Sequence, residues 1–214
     1  MAKNSKEFIL TLIGILFLLQ PSHLTAQVKK GLGIDGSMYF NSNEELLFST
    51  SVTYNWLINK NLILSTGGML VHSKLDKSWG AYSLDKNVLH LNSVSSATYI
   101  CPIYKQTGIY GSGSFIFEPI PFDYISIDKQ TESKNVSKGK YIFSKFTPGA
   151  FLETGIFHSF NKNNKALKLF CGIGYGWYDP FAGYRNCTLD GQNLSNHMPQ
   201  DKNYYRISVR LLGL

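Results

Sequence analysis

The chain has 214 residues, with 21 basic and 14 acidic side chains, a net charge of +7, and 43% apolar, 14% aromatic and 16% charged residues. Low charge with abundant aromatics excludes a disordered chain, and three cysteines are too few for a disulfide framework. A mean hydropathy of −0.10 with one long apolar run excludes a bundle of membrane helices.

Lys3 and Lys6 precede an apolar run from Phe8 to Leu19, which gives way to Gln20-Pro21-Ser22 and then Leu24-Thr25-Ala26-Gln27. A charged start, a short apolar run and a small-residue exit predict a secretory signal peptide over residues 1–27. The run is too short for a spanning helix, which needs about 20 residues. Cleavage is expected after Ala26 or Gln27; the alternative is a retained N-terminal anchor. Removing 1–27 leaves 19 basic and 13 acidic residues, a net of +6. Export argues against a nucleic-acid partner despite that excess, and leaves an anionic lipid or polysaccharide surface open.

Residues 28–214 read as strands, because apolar residues recur with period two. The alternation is plain in Leu46, Phe48, Thr50, Val52, Tyr54, Trp56, in Leu167 through Trp177, and in Tyr205, Ile207, Val209, Leu211. Weaker versions cover 31–41, 61–72, 88–101, 107–118 and 141–158, giving eight strands of roughly ten residues. Polar turns join strands at 58–61, 102–106 and 161–165; longer connections run over 73–87, 119–140 and 179–202, with a short one at 42–45. Short turns at one end and long loops at the other match an all-β, eight-stranded, antiparallel up-and-down transmembrane β-barrel following the signal peptide. A secreted or periplasmic β-sandwich binding module is the alternative.

Few charges fall inside these strands. Asp35, Lys145, Glu153, Lys168, Arg206 and Arg210 can all be placed on the polar parity of their strands, where they would face the lumen rather than lipid. An eight-stranded barrel has just enough interior for side chains, so these six are expected to form a stabilising ion network, with Asp35 beside Arg206 and Arg210 and Glu153 beside Lys168. A narrow gated channel is the competing use of the same set. Tyr54 and Trp56, Tyr175 and Trp177, and Tyr204 and Tyr205 lie at strand ends, where interfacial girdles are expected. Gly67-Gly68, Gly111, Gly113, Gly172, Gly174 and Gly176 suit tightly curved strands.

The tight Asn/Lys turns, the segment Cys-Gly-Ile-Gly-Tyr-Gly-Trp-Tyr at 171–178 and the segment Tyr-Tyr-Arg-Ile-Ser-Val-Arg-Leu at 204–211 resemble the small outer-membrane β-barrel proteins of Gram-negative bacteria, the OmpA/OmpX-like barrel domains. The Ala26-Gln27 exit is similar to leaders common in the Bacteroidota. The resemblance implies a non-enzymatic barrel in the cell outer membrane, with outer-membrane lipid as its surroundings and the loops 73–87, 119–140 and 179–202 outside the cell. The expected role is structural or adhesive, as a monomer, without cofactor or metal. Family members end on an aromatic of the lipid-facing row, whereas Leu214 falls on the parity of Arg206 and Arg210.

Other motifs are weaker. Gly31-Leu-Gly33-Ile-Asp-Gly36 spells a dinucleotide loop, but a strand follows it rather than a helix. His72 and His90 flank one external loop and could approach each other; His23, His158 and His197 show no metal-ligand spacing. Lipid A deacylases carry His-x-Ser-Asn. His90-Leu-Asn92-Ser93 exchanges the last two positions and His158-Ser159 lies at the opposite end, so a lipid A-modifying enzyme is a minor alternative. Cys101, Cys171 and Cys187 are expected to stay reduced.

Overall fold

A computed structural model describes residues 29–43, 45–79, 82–118, 126–129, 135–138, 148–162, 165–185, 188–189, 192–193 and 195–214. The leader 1–27, Lys145 and Cys187 lie outside the described residues. In chain order the elements are β1 (Lys29–Phe40), β2 (Leu46–Leu57), β3 (Leu62–Trp79), β4 (Tyr82–Tyr104), β5 (Thr107–Phe117), β6 (Ser126–Lys129), β7 (Asn135–Lys138), β8 (Pro148–Lys162), β9 (Lys165–Trp177), the short helix α1 (Ala182–Arg185), β10 (Thr188–Leu189), β11 (Gln192–Asn193) and β12 (Asn203–Gly213). Eight strands pair antiparallel in the order β3-β2-β1-β12-β9-β8-β5-β4, and a β3–β4 pairing closes the ring. One closed sheet, rather than two packed sheets, overturns the sandwich alternative. Gly31, Gly33 and Gly36 lie in β1 with strands on both sides, so no helix follows the dinucleotide-like spelling.

The strands differ from the expected ten residues most at one corner. β3 runs for 18 residues and β4 for 23. They stay paired from Leu62↔Tyr99 out to Trp79↔Tyr82, so the segment 73–87, expected as a loop, is the outer half of a long hairpin. Alternation continues past the barrel rim, with Val71, Ser73, Leu75, Val88 and His90 buried on one face. β4 also pairs with β6, and β6 with β7, which adds a short hairpin from the 119–140 segment. At the other end the β4–β5 turn is tight, with Lys105 at φ 41°.

The two faces are sorted by parity. Outward rows expose Leu32 and Ile34 on β1, Val52 on β2, Leu152 and Ile156 on β8, Ile173 on β9 and Val209 on β12, each between 51% and 75% exposed. Across β3 and β4 the outward row is smaller, with Thr66, Gly68, Ser93, Ser95 and Ala97; Thr66 and Ser95 satisfy each other at 3.1 Å. Among the described residues, no Asp, Glu, Lys or Arg lies on an outward row between the turn-end lysines and the loops. Aromatic rings gather at both ends of the belt: Tyr54 against Trp56 at one, and Phe40, Tyr205 and Tyr175 in a chain of contacts at the other, with centroids 5.6 and 5.2 Å apart. Tyr204, expected in that girdle, points inward instead. It is fully buried and donates to Glu45 at 3.0 Å.

The lumen is filled in three layers. At the turn end Ile63, Ile100, Tyr110, Phe157, Phe170 and Leu212 form an apolar plug, with Leu214 packed against it. At the loop end a larger cluster joins Tyr39, Met69 and Phe151 of the wall to Tyr178, Phe181, Tyr184 and Met198 of the 179–202 segment and its approach. That segment therefore folds into the barrel mouth. Between the two lies a polar layer. Replacing the fully buried Phe170 by Ala empties the space against Tyr110 and Phe157, whose ring centroids are 5.1 and 5.8 Å away. Urea unfolding of the folded barrel is expected to show a loss of about 3–5 kcal/mol, more than for Ile173→Ala on the outer face, which removes a side chain without leaving a cavity in the lumen.

Candidate functional site

The polar layer centres on two arginines and two carboxylates. Asp35 of β1 lies directly opposite Arg210 of β12. Arg206, opposite Tyr39, runs back past Ser37 and places Nη2 3.1 Å from both Asp35 oxygens. Its Nε and Nη2 also donate to Ser37 Oγ at 3.0 and 2.8 Å, and Ser37 donates to Asp35 at 2.7 Å. Glu153 of β8 accepts from Arg210 Nη2 at 2.7 Å and from the Tyr110 hydroxyl at 2.6 Å, and Arg206 Nη1 sits 3.3 Å from its second oxygen. Arg210 further donates to Thr98 at 3.2 Å, whose hydroxyl meets Ser112 at 2.9 Å. All four charged side chains are under 10% exposed. Two positive and two negative groups leave the layer neutral, which is the condition under which buried charge is tolerated.

One strand makes this meeting possible. β9 separates β8 from β12, yet its inward row in this layer is Gly172, Gly174 and Gly176. Glu153 and Arg206 are both register partners of Gly174, so their side chains cross above a bare backbone. A Cβ at Gly174 would come within 2.7 Å of the Leu152 carbonyl and 3.3 Å of Glu153 Cβ. At Gly172 it would lie 2.1 Å from the Tyr110 hydroxyl, the group that donates to Glu153. Guanidinium faces are covered by rings: Arg206 by Tyr39 at 5.6 Å, Arg210 by Tyr110 at 5.3 Å and Phe170 at 5.4 Å. On the opposite wall Ser51, Ser65, Ser96, Ser112 and Ser114 border a cavity of about 20 Å³, room for roughly one water.

Of the six residues expected in the lumen, Asp35, Glu153, Arg206 and Arg210 come together. Lys168 does not. It lies opposite Ser159, toward the turn end, and donates to Ser159 Oγ at 2.7 Å with Nζ 5.3 Å from the Phe157 ring. Glu153 is six residues away along β8, so its partners are the two arginines rather than Lys168. Strand adjacency alone predicts a Glu153–Lys168 pairing; the β8–β9 register slides Lys168 past Glu153. Tyr110, Thr98 and Ser37 were not singled out from sequence. Their signal was parity: Tyr110 shares the inward row of β5 with Ser112.

At the loop end, buried His90 places Nδ1 3.1 Å from Oε1 of the half-buried Glu118, so His90 is not a solvated rim histidine. His72 is next to Leu89 in register and faces outward, so it does not approach His90. Ser93 lies on the outward parity, away from His90, while Asn92 exchanges hydrogen bonds with Tyr178 at 3.0 and 3.2 Å. Burial, with the Glu118 carboxylate nearby, raises the Tyr178 phenol above its ordinary range. His158 instead meets Thr107 at 2.8 Å at the turn end. Asp179 binds Arg185, which also donates to the Pro199 carbonyl, and Lys202 lies 3.3 Å from Asp179. This tethers α1 and the segment before β12 to the mouth. Asp201 accepts from the Asn203 backbone N–H and from Ser42, which holds its carboxyl below the usual range.

No protein-family model and no curated protein sequence matches the chain. Among solved structures it is similar to neisserial surface protein A, with 12% identity and a TM-score of 0.43 over 86% of this chain and 94% of that one. It is likewise similar to a major outer membrane protein from Thermus thermophilus, with 11% identity and a TM-score of 0.43 over 86% and 99%.

Removing one arginine leaves two carboxylates short of a partner. Arg206→Met is expected to destabilise the folded barrel by about 3–5 kcal/mol in urea titrations, against less than about 1 kcal/mol for Lys168→Met, whose partner is a neutral hydroxyl. Gly172→Ala should destabilise through Tyr110, and Gly172→Ala combined with Tyr110→Phe should lose less than the two single changes added together.

Proposed function

We propose that this chain is a non-enzymatic outer-membrane β-barrel of the OmpA/OmpX-like kind, exported by the 1–27 signal peptide, spanning the membrane as a monomer with a sealed lumen. The observation that carries this reading is the inverted sorting of polarity. The four charged side chains of the span point inward and meet each other, while among the described residues no Asp, Glu, Lys or Arg stands on the outward belt. A barrel in water gains nothing from this, whereas a charge facing lipid at mid-depth costs about 2–4 kcal/mol. Strand length agrees: β1, β2, β5, β9 and β12 have 11 to 13 residues, against the roughly 9–11 that cross a bilayer.

A structural and surface-interaction role fits the division of labour among the long segments. Segment 179–202 gives Phe181, Tyr184 and Met198 to the mouth of the barrel and serves as a lid. The β3–β4 extension, widened by β6 and β7, stands beyond the rim and is the surface offered to an extracellular ligand. Three filled layers make the lumen a support for these elements rather than a conduit. The hydrolase reading loses its motif, because His90 and Ser93 lie on opposite faces of β4.

Folded protein is expected to stay in solution only with detergent and to migrate faster on gels unheated than boiled. Ile156→Lys, which turns a residue 61% exposed midway along the outward belt into a charge, should weaken folding by about 2–4 kcal/mol. Protein that remains monodisperse without detergent would overturn the reading. Planar bilayers should show no stepwise conductance.

A further inference from the structure

The mature excess of positive charge is not spread over the molecule. The polar layer is neutral. The segments that join strands at the loop end, 41–45, 73–92, 118–147 and 178–203, carry 11 acidic and 10 basic side chains. What remains is the turn end, where seven lysines stand without one Asp or Glu in 29–33, 57–62, 102–108 or 158–168. Lys29 and Lys30 open β1, Lys60 sits in the β2–β3 turn and Lys105 in the β4–β5 turn. Lys162 and Lys165 are register partners across the β8–β9 turn, and Lys168 follows. The lysines thus come from the start of β1 and from all three turns, which distributes them around the rim.

The ring lies at the edge of the apolar belt. Lys30 is the register partner of Trp56, Lys29 of Leu57, and Lys105 Nζ is 5.4 Å from the Tyr104 ring. Tyr54, Tyr99, Tyr104 and Phe160 are exposed at this end, which is the headgroup level of a membrane-spanning barrel. Lys29, Lys30, Lys60 and Lys105 are exposed, and none of the four forms an ion pair among the described residues. Ammonium groups beside interfacial rings on a convex rim match phosphates arrayed in a leaflet better than a ligand that needs a cleft.

We propose that the turn-end lysines bind the headgroups of anionic phospholipids in the leaflet around the short turns, so that the barrel sits in a selected lipid annulus on that side alone. The inference rests on the membrane-spanning reading above and adds a lipid class and a side. Because these turns face the periplasm in barrels of this design, the leaflet is the periplasmic one.

The test uses full-length folded protein in vesicles of phosphatidylcholine and phosphatidylglycerol, with bromine on the acyl chains of one lipid at a time. Trp56 is kept as the sole tryptophan by W79F and W177F; a second chain keeps Trp177 alone by W56F and W79F. Quenching of Trp56 should give a relative association roughly fivefold in favour of phosphatidylglycerol, and Trp177 a ratio near one. The preference should collapse as ionic strength rises from roughly 0.01 to 1 M, where the screening length falls from about 30 to 3 Å. K29Q, K30Q, K60Q and K105Q together should bring Trp56 to the Trp177 ratio, and the four Lys→Arg changes should preserve the preference; heat-modifiable migration verifies folding of each. Strong quenching by both lipids with a ratio near one, or a preference that survives the glutamines, overturns the proposal and leaves the spanning reading standing. A ratio near one with lysine-dependent sedimentation on peptidoglycan overturns it in favour of that polymer. No quenching of Trp56 by either lipid removes the spanning reading itself.

Discussion

A closed sheet gives every strand residue two destinations and nothing between them. With a side-chain period of two, adjacent residues go to lumen and exterior in turn, and a slip of one register step would exchange the whole set. Ring closure removes the edges at which an open sheet would tolerate such a slip. This constraint decides where each charge of the span can stand. Once Ile34 and Val209 face out, Asp35 and Arg210 face in, opposite each other at the β1–β12 seam. The same parity sends Glu153 inward two strands away. The lumen of an eight-stranded ring is narrow enough for these groups to meet across it.

Meeting across the lumen needs room, and the room comes from absence. The inner row of β9 has no side chain at Gly172, Gly174 and Gly176, so groups from the flanking strands occupy the space above it. The same bare row lets Tyr110 reach Glu153 from β5. A larger residue at Gly174 would widen the gap between the carboxylate and Arg206, and a buried charge that loses its partner costs more than the pair was worth. Apolar plugs above and below separate the layer from both ends of the barrel, and the low dielectric of such surroundings strengthens each contact and raises the cost of leaving any group unpaired. Neutrality, burial and the glycine row are thus one device. The small void beside it is bordered by Asp35, Arg206 and Arg210 on one side and by serine hydroxyls on the other.

How much of this could be read in the sequence depended on whether a feature was local. Alternation in β2, β9 and β12 is local, and it placed Phe48, Ile173 and Ile207 outside and Arg206 and Arg210 inside with no knowledge of neighbours. The antiparallel ring followed from three short turns. What parity cannot supply is register: Lys168 and Glu153 share the inward faces of adjacent strands, and only the pairing of Lys168 with Ser159 separates them. Nor does it mark where a barrel stops and a hairpin continues, because Val71 to Leu75 alternate past the rim as they do below it. The role of 179–202 was hidden for another reason. Phe181, Tyr184 and Met198 show no periodicity, and their burial arises from the cavity they happen to fill.

The two ends solve opposite problems. At the loop end the mouth must be closed, and the chain closes it with itself: an aromatic lid, fastened by Asp179 to Arg185 and by Asn92 to Tyr178, backed by the His90–Glu118 pair. Acidic and basic side chains nearly balance in the segments there, and among the described residues Asp179 meets both Arg185 and Lys202 and Lys74 lies 3.6 Å from Asp76. At the turn end the strands themselves seal the lumen through Phe157, Phe170 and Leu212, and turns of two to four residues leave no chain for counter-charges. Lysines fixed on such short turns have few acidic side chains within reach, and the exposed ones must find opposite charge outside the protein or remain solvated. Short turns therefore do more than connect strands: by giving the rim no Asp or Glu of its own, they aim its charge at whatever surrounds the barrel.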